Sequence, residues 1–203
     1  MTADDLVAAC RALAAAGLSP GSSGNASARD GDRILVTPTG SALRRVTPEQ
    51  ISVLATDGTH LGGPAPTKEW AMHVAAYRAR PDAFAVVHLH SRAATAVSCL
   101  VPSGDDPLPV YTPYRLRMLG RIELVEYAAP GSDALAAGVQ EAASRSHCLL
   151  LANHGSVVCA PDLVRAVDLC EELEAAAELT LTLRGRDART LDPAKAWGYV
   201  YQK

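Results

Sequence analysis

The stretch Phe84-Ala-Val-Val-His88-Leu-His90-Ser91 constrains this chain more than any other. Its apolar run reads as a buried strand, and the strand ends in two histidines one residue apart. Side chains alternate faces along a strand, so His88 and His90 point the same way. At a rise of about 3.3 Å per residue their Cβ atoms sit roughly 6–7 Å apart, close enough for two imidazoles to converge on one metal ion. Two histidines on one strand face can equally be half-buried surface residues, so the strand alone leaves both readings open. A catalytic reading needs a third ligand, an acid/base and a substrate anchor from elsewhere in the chain.

The 203 residues fit one domain with a sizeable core, expected to span 1–203. Aromatic residues make up only 4%, so that core must rest on Ala, Val and Leu. The net charge of −3 is spread over mixed charges, with no basic stripe for nucleic acid and no polybasic membrane patch. The densest basic stretch, residues 184–189, is short, contains Asp187 and reads as solvated surface. No apolar run approaches the roughly 18 residues of a membrane helix. The first residues are acidic where a signal peptide is basic. The five cysteines (Cys10, Cys99, Cys148, Cys159, Cys170) are scattered, with no C-x-x-C. They read as reduced core residues, and with the acidic start they place the chain in the cytoplasm.

Along the chain, residues 4–16 show helical spacing, closed by Gly17. Residues 19–27, Ser-Pro-Gly-Ser-Ser-Gly-Asn-Ala-Ser, are too rich in small and polar types for regular structure and read as a loop. Its glycines let backbone N–H groups turn towards an anion, although a plain flexible turn has the same composition. A strand over 33–37 leads into a second hydroxyl turn, Thr37-Pro-Thr-Gly40, which strengthens the phosphate-cradle reading. Neither loop matches a P-loop or dinucleotide fingerprint. Residues 51–61 predict a hairpin turning at Asp57-Gly58, with His60 at the surface. Thr67 is an N-cap for a helix to about Arg80, which puts Glu69 in its first turn, where the helix dipole alone explains a carboxylate. His73, four residues on, shares that face and reads first as a packed helix histidine.

After the His-x-His strand come a helix over 91–100, a Pro-rich loop over 101–113, a strand over 121–127 and a helix capped by Ser132 or Asp133. Cys148-Leu-Leu-Leu-Ala152 is continuously apolar, hence a fully buried strand, and it ends in Asn153-His154-Gly155. The longest helix runs from Pro161 to about Leu183. Trp197, Tyr199 and Tyr201 give the tail an aromatic character that suits closing over a site or packing on the surface. His154 follows a buried strand just as His90 ends one. Three imidazoles with an open position is the catalytic zinc pattern, and Glu69 then fills the fourth place or acts as general base. The bland alternative is that His154 only stabilises its turn.

Gly24-Asn25, Thr37-Pro-Thr-Gly40, Glu69, His88-Leu-His90-Ser and Asn153-His-Gly155, in that order, resemble the class II aldolase/adducin family, which includes zinc-dependent fuculose-phosphate aldolase. The resemblance covers nearly the whole chain. It implies a three-layer α/β/α fold around a mainly antiparallel sheet. It further implies Zn2+, or another divalent metal, on His88, His90 and His154, with Glu69 as acid/base. Gly24, Asn25, Thr39, Gly40, Thr67 and Lys68 fall on the family's phosphate-binding positions. Tyr114 falls where the aldolases place a tyrosine that reaches a neighbouring subunit's site, which implies a homotetramer with sites at subunit interfaces.

The aldolases carry two small hydroxyl residues before the Glu, whereas this chain has Thr67-Lys68. That departure, with Thr112-Pro-Tyr114, Ala129-Pro-Gly-Ser132 and Glu171-Glu-Leu-Glu174, is similar to the 3-oxo-tetronate 4-phosphate decarboxylase branch. A substrate bearing both carboxylate and phosphate gives Lys68 a role as the added cation. A solvent-facing first-turn lysine is the plainer reading. The expectation is a metal-dependent lyase that decarboxylates a phosphorylated 3-oxo sugar acid to dihydroxyacetone phosphate through a metal-held enediolate. A ketose-1-phosphate aldolase is the first alternative, followed by a sugar-phosphate 4-epimerase and a non-catalytic adducin-like scaffold.

Overall fold

The structure, a computed structural model, describes residues 1–100 and 106–192. The aromatic tail at Trp197, Tyr199 and Tyr201 lies outside the described residues, as does the start of the Pro-rich loop. One eight-stranded sheet organises the rest, in the order β4-β3-β2-β1-β5-β8-β7-β6. Its strands are β1 (Asn25–Asp30), β2 (Arg33–Val36), β3 (Ser52–Ala55), β4 (His60–Gly62), β5 (Ala85–Leu89), β6 (Ile122–Val125), β7 (Cys148–Leu151) and β8 (Gly155–Ala160). Only β6 and β7 pair in parallel; all other pairs are antiparallel.

The helices are α1 (Ala3–Ala15), α2 (Trp70–Ala79), α3 (Arg92–Ser98), α4 (Pro113–Leu119), α5 (Asp133–Ala143) and α6 (Leu163–Leu183). The period of two along β5 divides them into layers. Ala85, Val87 and Leu89 join a core with residues of α1, α3, α4 and α6. Val86 joins a second core on the opposite face with residues of α2 and α5. The result is the α/β/α sandwich expected, with a mainly antiparallel centre. β5, β7 and β8 are buried throughout, as central strands covered on both faces must be.

Several boundaries differ from the sequence reading. Asn25-Ala-Ser27, read as loop, opens β1, an interior strand between β2 and β5. Its polar residues are tolerated because each finds a buried partner, described below. α4 fills the stretch between the expected Pro-rich loop over 101–113 and the strand over 121–127, to which the sequence reading assigned no element; Thr112 caps it through the Arg115 N–H, and Pro113 takes the first helical position, which lacks an N–H partner anyway. α2 begins at Trp70, so Glu69 is its N-cap residue and not part of its first turn. The Thr67 hydroxyl accepts from the Glu69 N–H at 3.3 Å and so shapes the turn before the helix. Four cysteines are buried thiols, but Cys99 is exposed; all five are unpaired.

Candidate metal centre

All the polar features of interest gather at one end of the sheet. Antiparallel pairing sets Asn25, at the start of β1, beside His88 near the end of β5. On the other side, Leu89 pairs with Ser156 of β8, and β7 hands over to β8 through the turn that holds His154. Asn153 supplies the left-handed residue of that turn (φ 55°), a conformation Asn tolerates better than most side chains. Two glycines bring the chain close to β5 here. A Cβ on Gly24 (φ 81°) would lie 2.9 Å from the His88 carbonyl oxygen, and one on Gly155 would lie 2.2 Å from that of Leu89. Only hydrogen fits at either place.

The three imidazoles stand around a common point. Ring centroids are 4.7, 4.8 and 4.9 Å apart and the ring planes cross at 67–70°. Ligand atoms from Glu69, His88, His90 and His154 all lie within 4.8 Å of one another. His88 is fully buried, and its Nδ1 lies 2.8 Å from the Ser156 carbonyl oxygen. A carbonyl only accepts, so Nδ1 carries the proton and Nε2 presents a lone pair. That lone pair faces His90 Nε2 at 2.9 Å. Nitrogens bound about 2.0–2.1 Å from one ion sit about 3–3.4 Å apart, so this separation is near what a shared cation requires. Glu69 Oε2 is 3.3 Å from His88 Nε2, and Oε1 is 3.4 Å from His154 Nε2. Glu69 Oε1 and His154 Nδ1 are buried without a hydrogen-bond partner. Three nitrogen donors, a carboxylate and an orphaned buried oxygen fit a divalent metal ion.

Electrostatics favour the ligating protonation states. Burial, reinforced by the neighbouring His88 and His154 rings, lowers the His90 pKa to about 4. Burial lowers that of His154 as well, with His88 acting in the same sense and Glu69 opposing. Burial by itself would raise the Glu69 carboxyl. Hydrogen bonding and charge from His88, the Asn25 amide and His154 outweigh it and bring Glu69 down to about 2.

The expected anion-binding residues lie on pieces of chain that are hydrogen-bonded to one another and lead into this cluster. The Thr37–Gly40 turn and the segment before Glu69 are tied by Thr39 N–H to Ala65 O and Thr67 N–H to Thr37 O, both 3.0 Å. Thr37 is also bonded to Ala26 of β1. Thr39, Gly40 and Lys68 are exposed, whereas Thr67 is buried. Gly131 (φ 76°) approaches the Lys68 carbonyl so closely that a Cβ would lie 2.8 Å from it. The 129–132 segment thus backs the turn that carries Lys68 and Glu69. The Asn25 side chain is buried, with Nδ2 donating to Glu69 Oε2 at 2.8 Å and Oδ1 facing His73, which ties this expected anion-binding position to the cluster. Tyr114 is half-exposed on α4 beneath the Arg117 guanidinium, 5.1 Å from the ring centre.

Two residues singled out in the sequence, His73 and Glu174, support the site through contacts that sequence reasoning did not give. His73 reads as a packed helix histidine until β1 is placed beside α2. Glu174 of α6 accepts from Ser91 Oγ (2.6 Å) and from the N–H groups of Ala93 (2.7 Å) and Ala94 (2.9 Å), which clamps the chain leaving His90. Its partners lie about eighty residues away in sequence, and no local pattern announces them.

Residues 4–181 match the Class II Aldolase and Adducin N-terminal domain, and the chain belongs to that family. Within it, the chain is 44% identical over 179 residues to the 3-oxo-tetronate 4-phosphate decarboxylase of Haemophilus influenzae, covering 86% of this chain and 84% of that protein. It is 36% identical to an L-fuculose phosphate aldolase of Escherichia coli, over 89% of this chain and 82% of the relative. Among solved structures, YgbL of Klebsiella pneumoniae superposes with a TM-score of 0.93 at 35% identity, covering 98% of this chain and 99% of YgbL. The family resemblance and the fold expected from it are both borne out.

Proposed function

We propose that this chain is a divalent-metal-dependent lyase that decarboxylates 3-oxo-tetronate 4-phosphate to dihydroxyacetone phosphate. The observation that carries the reading is the convergence of three imidazoles and Glu69 beside an exposed hydroxyl turn and Lys68. The decarboxylases among its relatives, at 39–44% identity, support the substrate class. His88, His90 and His154 would hold the metal, zinc being the best match to a nitrogen-rich set, with Glu69 beside it. A cation there supplies Lewis-acid stabilisation of negative charge developing on substrate oxygens.

The chain's own residues supply the rest. Backbone and hydroxyl groups of Gly24, Thr39, Gly40 and Thr67 hold the phosphate and orient the reacting carbons. Lys68 offsets the carboxylate. Glu69 is ionised and its Oε1 is unpartnered, so it starts as a base and takes the proton of the hydroxyl on C2. The C1–C2 bond then breaks, its electron pair forms a C2–C3 double bond as the C3 carbonyl oxygen takes up the negative charge, and CO2 departs. Glu69 returns its proton to C2, and the hydroxyl is restored from solvent or from Tyr114. The half-exposed position of Tyr114 suits service to a neighbouring subunit in a homotetramer. One domain over the whole chain and a cytoplasmic setting complete the reading; five unpaired thiols suit a reducing compartment.

The test offers metal-loaded enzyme 3-oxo-tetronate 4-phosphate and, separately, a ketose 1-phosphate. Rapid CO2 release from the first is expected. Aldehyde from the second alone overturns the reading in favour of an aldolase. Lys68→Ala should raise KM for the carboxylated substrate more than for the ketose phosphate.

A further inference from the structure

Behind Glu69 runs a buried chain of hydrogen bonds that none of the assignments above uses. The period of two along β1 turns Asn25 and Ser27 towards α2, and the helical repeat turns His73 and Tyr77 towards them. Tyr77 Oη lies 3.0 Å from Ser27 Oγ, and Ser27 Oγ lies 2.7 Å from His73 Nδ1. His73 Nε2 lies 2.5 Å from Asn25 Oδ1, and Asn25 Nδ2 donates to Glu69 Oε2 at 2.8 Å. Exposure is 0% for Ser27 and His73, 3% for Tyr77 and 5% for Asn25, so water does not complete these bonds.

Donor and acceptor chemistry allows the chain one polarity. The Glu69 carboxylate only accepts, so the Asn25 amide must present its NH2 there and its oxygen to His73. That oxygen only accepts, so His73 must carry its proton on Nε2. A neutral ring then has a lone pair on Nδ1, so the Ser27 hydroxyl donates to it and the Tyr77 hydroxyl donates to Ser27. Burial keeps His73 neutral, with its pKa lowered to about 3, and pushes the Tyr77 hydroxyl up, in keeping with both roles.

We propose that His73 is a positioning residue that locks the rotation of the Asn25 amide and thereby presents an N–H donor to Glu69. Without a donor at position 73 the amide can turn over, bringing Oδ1 against Glu69 Oε2, two acceptors at hydrogen-bonding distance. The carboxylate must then move off the point that the imidazoles share, away from the substrate. This deepens the acid/base reading of Glu69 and rests on it for its catalytic consequence.

The experiment compares His73→Leu, His73→Gln (an amide donor near the Nε2 position), Asn25→Ala and the Leu/Ala double variant. His73→Leu should lower kcat about tenfold or more with KM and metal content little changed, and His73→Gln should recover most of the loss. In the Asn25→Ala background, His73→Leu should change kcat less than about twofold, since both substitutions remove one interaction. Independent, multiplying losses would show instead that His73 does not act through Asn25, and that result overturns the proposal. A second readout uses metal-free protein. Nitrogen NMR should show His73 protonated at Nε2 alone, and the Asn25 side-chain NH2 should exchange slowly in the natural protein and in His73→Gln. A ring protonated at Nδ1, or rapid amide exchange in the natural protein, refutes the proposal. This readout decides the positioning whichever substrate is turned over, and it stands if His73→Leu fails to fold.

Discussion

Glu174→Ala is the most exposed wager on how the site is held. Glu174 is 8% exposed, and its carboxylate receives one hydroxyl and two backbone N–H groups at 2.6–2.9 Å. All three donors stand at the start of α3, directly after His90, where the helix has no internal partners for its first N–H groups. Alanine strands them in a site too buried for water to replace the carboxylate freely. Unsatisfied buried donors cost about 1–3 kcal/mol each, and removal of the buried charge offsets part of that, leaving about 3–5 kcal/mol lost. At about 2–4 °C per kcal/mol for a domain of this size, Tm should fall by about 6–20 °C. Glu174→Gln retains one acceptor and the side-chain volume, and should lose about 1–2 kcal/mol. The assay is thermal unfolding at one protein concentration in the presence of chelator, so that metal binding does not add to apparent stability. Amide exchange should accelerate most at Ala93 and Ala94. A Glu174→Ala protein melting within about 2 °C of the parent would refute the reasoning.

Other expectations are briefer. His90→Ala should abolish stoichiometric zinc retention and turnover together, read by metal analysis after dialysis; survival of both would show the ligand set to be misassigned. Gly155→Ala places a methyl 2.2 Å from the Leu89 oxygen and must part β5 from β8, which weakens the His88–Ser156 bond. Its metal affinity, titrated against a competing chelator, should drop about 10–100-fold, and an unchanged value would contradict the close-approach argument. In metal-free protein, the pKa values of His73 (about 3) and His90 (about 4) lie below the ordinary 6.5. The unfolded chain therefore binds more protons between those values, so stability is full above about 6.5 and is lost as pH falls towards 4. Urea midpoints across that range should show the slope, and His73→Leu should flatten it.

The sheet was legible wherever burial was two-sided and apolar, as in β5 and β7, because periodicity and residue type then agree. The site was legible through short motifs at strand ends, which is where side chains can converge. β1 was hidden for a reason tied to function. Asn25 and Ser27 look like loop residues because nothing local pairs them, yet both are buried against α2, more than forty residues away. Distance in sequence likewise concealed the contacts of His73 and, at about eighty residues, those of Glu174. Glu69 was identified by type but placed two residues too deep, since Thr67 shapes the turn before the helix and α2 begins only at Trp70. The α4 helix carries a start signal in Thr112-Pro113, an N-cap followed by a proline at the first helical position, which the sequence reading took only as the end of a loop.

His88 stands on β5, His90 directly follows it and His154 lies in the β7–β8 turn, all at one end of a covered sheet, whereas Glu69 stands on a turn backed by Gly131 from another segment. Under the proposed function, metal retention and proton transfer fall to separately supported pieces of chain. Substitutions at 68 or 131 can shift the carboxylate and the neighbouring cation against an unchanged triangle of nitrogens. A change of substrate then requires no rebuilding of the sheet.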